Sequence, residues 1–224
     1  IYPDTNNNFY TFDELIKSIK KIHTDKDGKT IILYASNVDE QDSYIKAAKS
    51  KGYKVLLLDS PIVPHLIQKL ESKKENISFA RVDSDSIDNL IKKEDNIISK
   101  LDDKEKDMLK TYIEAVIPKE KYTIQLEALD SKELPFIITQ PEFMRRMKDM
   151  QQSGGNNMFG SMPEIHNVII NVNNDLVNTI FNSKSKAKRE RLIKQSLDLA
   201  RLSQNLLKGE ELTSFIKRSF DIIK

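Results

Sequence analysis

Three short apolar runs alternate with helical segments in the first part of the chain, and this alternation constrains the fold more than any other feature. The runs TIILYA (30–35), KVLLLD (54–59) and ISFARV (77–82) are rich in hydrophobic residues, as expected for strands covered on both faces. The segments between them carry apolar residues at helical spacing. Strands connected through helices predict a small parallel sheet with right-handed crossovers, flanked by helices.

The helices around this sheet have their own start and stop signals. Thr11 followed by Glu14 forms a capping box, which predicts that the first helix begins at residue 11. We expect a second helix from Asp39 through about Lys51, followed by Gly52, because glycine adopts the left-handed conformation that often ends a helix. The predicted α/β unit spans residues 1–98.

A different pattern follows, in which strands and helices no longer alternate. YTIQLEAL (122–129), LPFIIT (134–139) and HNVIINVN (166–173) predict three strands, the first two joined by a turn. The charged stretch 95–110 is typical of a connecting helix or linker. The last three predicted helices cover 174–182, 185–207 and 210–223. We therefore expect a second domain of the α+β class at 99–224, ending in a helical hairpin.

Composition excludes several classes of protein. The 36 Lys and Arg residues nearly balance the 34 Asp and Glu residues, and a net charge of +2 gives no reason to expect a nucleic-acid partner. The absence of cysteine excludes disulfides, thiolate metal ligands and cysteine nucleophiles, and it fits a reducing cytoplasm. No apolar run approaches the length of a membrane span, so no membrane partner is expected.

The α/β unit lacks the motifs of a cofactor site. The turns SNVDEQ (36–41) and SPIVP (60–64) contain no glycine that would let the backbone approach a pyrophosphate. VDSDSID (82–88) is acidic enough for calcium, but Asp88 stands where the sharp turn of a calcium loop needs glycine. We expect no catalytic residue, no cofactor and no metal. The alternative is a nucleotide-dependent enzyme that uses residues 1–98 as half of a cofactor-binding fold.

Five of the six methionines lie within one segment of twenty residues, 143–162. The apolar residues of this Met-rich segment are Phe143, Met144, Met147, Met150, Met158, Phe159 and Met162. Met144, Met147 and Met150 are spaced to share one face of a helix that Pro141 opens. Flexible methionine side chains let one surface pack against many partners, so we predict a protein-binding surface. A role in filling a core is the alternative for Phe143 and Met147.

The last two predicted helices carry more apolar surface than a single antiparallel partner would cover. The residues predicted to form an interface are Leu192, Leu199, Leu202, Leu206, Leu212, Phe215, Ile216, Phe220 and Ile223. Two copies of such a hairpin form a four-helix bundle around a two-fold axis. We therefore predict a homodimer; the alternative is a hairpin that packs only within its own chain.

A basic run, KSKAKRERLIK (184–194), begins the longer of these two helices. It contains six Lys and Arg residues and one Glu. Such a run at a helix start is typical of a solvated face, although contact with nucleic acid or with an acidic partner is open. Because no aromatic residue lies within the run, the sequence gives no sign of base stacking.

Three segments of the chain resemble a known family. They are DKDGKTIILYASNVDEQDSYIKAAKSKGYKVLLLDSPI (25–62), RVDSDSIDNLI (81–91) and PEFMRRMKDMQ (141–151). Their order is similar to the bacterial high-temperature protein G branch of the heat shock protein 90 chaperones. The resemblance implies that residues 1–98 are the last part of that family's middle domain and that 99–224 are its C-terminal dimerisation domain.

The resemblance also implies a function. It predicts part of an ATP-dependent chaperone that acts in protein folding during stress, with a second copy and unfolded or partly folded client proteins as partners. ATP and Mg²⁺ would bind upstream of Ile1, so we expect this fragment not to be an enzyme. Clients would bind to 141–152 and the loop that follows, and the final helix pair would hold the homodimer.

Overall fold

The computed structural model describes residues 1–94, 97–147 and 165–223, with the side chains of Ile222 and Ile223 excepted. The chain forms two compact units. Unit 1 comprises Ile1–Asn96 and Gln140–Met162, and unit 2 comprises Ile97–Thr139 and Pro163–Lys224. Unit 1 therefore includes a segment from late in the chain. The domain assignment to 1–98 and 99–224 remains a prediction.

The described elements alternate between strands and helices in unit 1 and are more mixed in unit 2. In chain order they are β1 (Tyr2–Pro3), β2 (Phe9–Tyr10), α1 (Phe12–His23), β3 (Thr30–Ala35), α2 (Asp42–Ser50), β4 (Val55–Leu57), α3 (Val63–Lys73), β5 (Ile77–Arg81), α4 (Ile87–Leu90), α5 (Asp103–Glu114), β6 (Tyr122–Glu127), β7 (Phe136–Thr139), α6 (142–147 within the described residues), β8 (His166–Asn171), α7 (Asp175–Asn182), α8 (Lys186–Ser203) and α9 (Gly209–Ile223).

Unit 1 contains the predicted parallel sheet. Its strand order is β4-β3-β5, with both outer strands parallel to β3. Every residue of β3 is buried, because the strand is central and the sheet is covered on both sides. The core beside it gathers Leu15, Ile32 and Phe79 from α1, β3 and β5. The sequence therefore predicted the class and strand direction of this sheet.

The ends of the helices in unit 1 follow the sequence signals with one correction. Thr11 and Glu14 form the capping box at the start of α1, and Gly52 has φ +78° after α2. The predicted start of α2 at Asp39 is wrong. The Asp39 N–H donates to the side-chain oxygen of Asn37 at 3.1 Å in a turn, and the helix begins three residues later.

His23 connects the end of α1 to the sheet of unit 1. Its Nδ1 donates to the carbonyl oxygen of Ile31 at 2.8 Å, and its Nε2 accepts the Lys54 N–H at 2.9 Å. The bond from the Lys54 N–H requires the neutral ring, because a protonated Nε2 cannot accept. Burial, helped by the cations Lys93 and Lys54, lowers the pKa of His23 to about 4 even though the bond to Ile31 opposes this shift.

We predict that His23 makes the stability of the chain depend on acid. Between the ordinary histidine pKa of 6.5 and the folded value of about 4, the unfolded chain binds a proton that the folded chain does not. The free energy of unfolding should therefore decrease by about 2 kcal/mol from pH 7 to pH 5 on account of this residue. Urea unfolding at both pH values should show a smaller decrease for His23→Gln. His65→Gln is the control, because His65 is exposed and its replacement should leave the decrease unchanged. If the free energy of unfolding decreases equally in wild type and His23→Gln, His23 does not have this role.

Unit 2 contains a mixed sheet in which the strand order is not the order of the strands along the chain. β6 and β7, predicted to be joined by a turn, do not pair with each other. β8 lies between them, parallel to β6 and antiparallel to β7. The physical reason is the apolar content of β8, where Val168, Ile169 and Ile170 are fully buried. A strand that is hydrophobic on both faces is stable only in the middle of a covered sheet.

Within the residues that the structure describes, the charged stretch 95–110 is not one continuous connecting helix. The helix in this region, α5, begins at Asp103, with Asp102 as its cap and Glu105 completing a capping box. Leu109 and Ile113 on α5 are fully buried in the core of unit 2. The charges therefore occupy the exposed face of an amphipathic helix.

Two asparagines end β8 earlier than the predicted residue 173. The Asn171 side chain is fully buried, accepts the Leu129 N–H at 3.2 Å and donates to the Asp130 carbonyl at 2.8 Å. The Asn173 side chain donates to the Ile98 and Leu129 carbonyls at 3.0 and 3.1 Å. These bonds tie two loops of unit 2 to the end of β8, whose last residue is Asn171.

Candidate functional site

The final hairpin, α8 and α9, packs on the rest of unit 2 through one side. Ile193, Leu197 and Ala200 of α8 are buried in the core of the unit. Between the two helices, Gln195 donates to Ser219 Oγ at 2.9 Å and accepts from Arg218 at 2.8 Å. These contacts fix the hairpin and leave other faces of both helices in solvent.

An apolar row remains exposed on each helix of the hairpin. The exposed side chains are Leu199, Leu202, Ile216 and Phe220, with Leu199 and Phe220 accessible to 51% and 63%. Surface leucines are common singly, but rows at helical spacing on two adjacent helices indicate an interaction surface. We call these four residues the apolar rows.

The other residues predicted to form the interface have different surroundings. Leu192 and Leu206 are half-buried and pack against the core of unit 2. Leu212 is half-buried and Phe215 is buried within the chain. The Ile223 side chain lies outside the described residues. The interface itself remains a prediction for all nine residues.

A buried carboxylate that was not among the predicted site residues holds the two helices of the hairpin together. Asp198 is almost completely buried and accepts from Arg218 at 2.5 Å and from Arg201 at 3.2 Å. Arg201 also pairs with Glu211. Burial alone would lower the pKa of Arg201, but the bonds to Glu211 and Asp198 raise it. A single Asp with cations four residues before and three after it was the available signal.

The start of the Met-rich segment lies on α6 in unit 1. Phe143 is 70% exposed, whereas Met144 and Met147 are half-buried. The remaining predicted residues, Met150, Met158, Phe159 and Met162, lie outside the described residues. Phe143 is therefore the one predicted client-contact residue that the described part of the segment presents openly to solvent.

Two arginines fasten α6 to unit 1. Arg145 is buried and donates to Tyr34 Oη at 2.6 Å and to Glu142 at 2.5 Å. Arg146 donates to Glu71 at 2.9 Å and to the carbonyl oxygen of Phe79 at 2.7 Å. These charge-assisted bonds fix the first turns of α6. Phe143 thus projects from a helix with a defined orientation.

The surroundings of Tyr34 and Glu71, which bind these arginines, shift the pKa values of both side chains. Burial raises the pKa of Tyr34 to about 12, so its hydroxyl keeps its proton and serves Arg145 as an acceptor. Burial would also raise the pKa of Glu71, but the bonds from Arg146 and from the Phe79 N–H lower it below its usual value. Glu71 is therefore a carboxylate at neutral pH, as the ion pair requires.

A cleft of about 310 Å³ lies at the carboxyl ends of the strands in unit 1, where α/β folds often bind ligands. Its lining includes Ser36, Asp59, Arg81 and Arg145. Arg81 is engaged by Asp83 at 2.6 and 2.8 Å, and Arg145 by Glu142. Because these carboxylates compensate both guanidinium groups, the cleft gives no positive support to the alternative of a nucleotide-dependent enzyme.

Within the ranges that the structure describes, no three His, Asp or Glu side chains gather as ligands of a metal ion would. Among the described helices, none combines the length and the apolar character that crossing a bilayer requires.

Comparison with known proteins gives relatives along the whole chain. No family model matches it. The chaperone protein HtpG of Bacteroides thetaiotaomicron is 34% identical over 291 aligned positions, which cover all of this chain and 43% of the relative. HtpG of Bacteroides fragilis strain YCH46 is 32% identical with the same coverage. HtpG of Porphyromonas gingivalis strain W83 is 36% identical over 94% of this chain and 31% of the relative. The chain thus spans less than half the length of these relatives.

Proposed function

Because this chain belongs to the HtpG chaperone family, we propose that it is the dimerisation and client-binding portion of an ATP-dependent chaperone. The observation that carries the proposal is the pair of apolar rows on α8 and α9. The proposal assigns ATP, Mg²⁺ and ATP hydrolysis to the part of the relatives that this chain does not match. It places the protein in the cytoplasm, in protein folding during stress.

The apolar rows support self-association on energetic grounds. Full burial of a Leu, Ile or Phe side chain stabilises by roughly 1.5–3 kcal/mol. A two-fold axis uses each residue twice, so Leu199, Leu202, Ile216 and Phe220 contribute from both protomers. Because these side chains are 41–63% exposed in the single chain, only about half of this stabilisation is available, and their sum is of the same order as the loss of translational and rotational freedom, about 4–15 kcal/mol. The proposed partner of the hairpin is the same hairpin of a second copy.

The proposed client contact begins at α6. Phe143 is exposed on a helix that Arg145 and Arg146 hold in place, and Met144 and Met147 lie beside it, half-buried. An aromatic ring with flexible thioether neighbours can pack against many apolar sequences without a fixed shape. Such a surface can bind unfolded or partly folded proteins, because these expose apolar sequences in no fixed conformation.

We predict that Phe143→Ser weakens client binding about tenfold, because one aromatic side chain is no longer buried in the complex. The measurement is fluorescence anisotropy of labelled, reduced and carboxymethylated lactalbumin titrated with the chain. Phe9→Ser is the matched control, since Phe9 is 67% exposed in the same unit and lies outside the Met-rich segment. Equal affinities for wild type and Phe143→Ser, or an equal loss in both variants, would contradict the assignment.

A further inference from the structure

An open groove of about 610 Å³ lies on unit 2, apart from the apolar rows. It runs between the end of α5, the first half of α8 and the second half of α9. The residues that line it are Ala115, Val116, Ala187, Glu190, Arg191, Lys194 and Arg218. Leu199 follows Ala187 by twelve residues, so it lies about 120° around the axis of α8. The groove and the row of Leu199 therefore face different directions.

One wall of the groove belongs to the most positively charged stretch of the chain. Residues 184–194 contain six Lys and Arg residues and a single carboxylate, although the whole chain carries only +2. That carboxylate, Glu190, approaches Lys186 at 3.8 Å in an exposed pair, which contributes little. Lys194 and Arg218 share the buried Asp198. Arg191 is exposed at the groove, so the surface that a partner meets is positive.

The lining favours a protein partner over a nucleic acid. None of the groove-lining residues is aromatic, so bases would find no ring on which to stack. The nearby ring of Tyr112 is covered by the Arg189 guanidinium, 3.7 Å from its centroid. Three small apolar side chains line the same groove as the cations: Ala115, Val116 and Ala187.

We propose that this groove binds an extended, acidic segment of another protein, with carboxylates on the exposed Arg191 and Lys194 and small apolar residues against the alanines. The site is separate from the proposed client contact at Phe143 and from the apolar rows. It gives the basic run at 184–194 a role beyond solvation. Since these charges are near the surface, salt should weaken the binding steeply.

The test is fluorescence anisotropy with a labelled peptide of alternating Glu and Ala, titrated with the intact chain at low and physiological salt. We expect saturable binding that Arg191→Glu weakens about tenfold. Lys132→Glu is the matched control, because it makes the same charge change at an exposed turn of unit 2 away from the groove. Circular dichroism and sedimentation of each variant establish that its fold and association state are those of wild type.

Three outcomes would overturn the proposal. They are no saturable binding of the acidic peptide at low salt, equal weakening by Arg191→Glu and Lys132→Glu, and tighter binding of a labelled oligothymidine than of the peptide. The last outcome would assign the groove to nucleic acid. Because association of the chain is measured separately, failure here and failure of the proposed dimer are distinguishable.

Discussion

Replacing Leu199 and Phe220 together with aspartate should convert the proposed dimer into a folded monomer. In the proposed four-helix bundle both side chains lie between protomers, so each dimer would bury four carboxylates without partners. We expect the dimer dissociation constant to rise at least about 1,000-fold, equivalent to about 4 kcal/mol. Sedimentation equilibrium measures this directly. The monomer should stay folded, because both side chains are exposed in the single chain.

The matched control replaces two exposed apolar residues elsewhere, Ile22 and Leu134, with aspartate. This variant introduces the same charges and removes similar apolar surface, but it leaves the hairpin intact. It should associate like wild type. If the control dissociates as readily as the variant of the apolar rows, a general effect of charge would explain the result, and the interface would lie elsewhere.

Replacing Asp198 with alanine should have the largest effect on stability. The substitution leaves Arg201 and Arg218, whose side chains are mostly buried, facing each other without their shared carboxylate. Removing one partner of a buried ion pair costs about 3–5 kcal/mol. Arg201 still pairs with Glu211, and Arg218 still donates to Gln195. We therefore expect the free energy of unfolding to decrease by about 3 kcal/mol, the lower end of this range. Asp198→Asn should lie between wild type and alanine, because it keeps the shape and one acceptor.

Urea unfolding at one fixed protein concentration checks this prediction, since self-association adds to the apparent stability. Asp221→Ala is the control, because Asp221 is exposed on α9 and its loss should change the free energy of unfolding by less than about 0.5 kcal/mol. If the free energy of unfolding of Asp198→Ala lies within about 0.5 kcal/mol of wild type, the buried ion pairs do not stabilise the hairpin.

Local sequence signals predicted unit 1 well. The continuous apolar run at β3 required a central, covered strand, and the Thr11 and Glu14 pair fixed the start of α1. These features depend on residues close together in the chain. Similarly, the apolar spacing of α8 and α9 predicted two amphipathic helices, and part of that surface is exposed as expected.

Features that depend on distant residues were missed or misjudged. Nothing local to YTIQLEAL or LPFIIT indicates that β8, thirty residues later, inserts between them. Arg145 and Arg146 look like solvated charges until Tyr34 and Glu71 of unit 1 lie beside them. Periodicity reports which face of an element is apolar. It does not report which polar residue on another element completes a buried pair.

Sedimentation equilibrium of the unmodified chain over a range of concentrations tests the central claim most directly. The apolar rows predict a dimer at micromolar concentration and below, with a mass twice the 25.8 kDa of the chain. A single species of 25.8 kDa throughout the micromolar range would contradict the proposed self-association through α8 and α9.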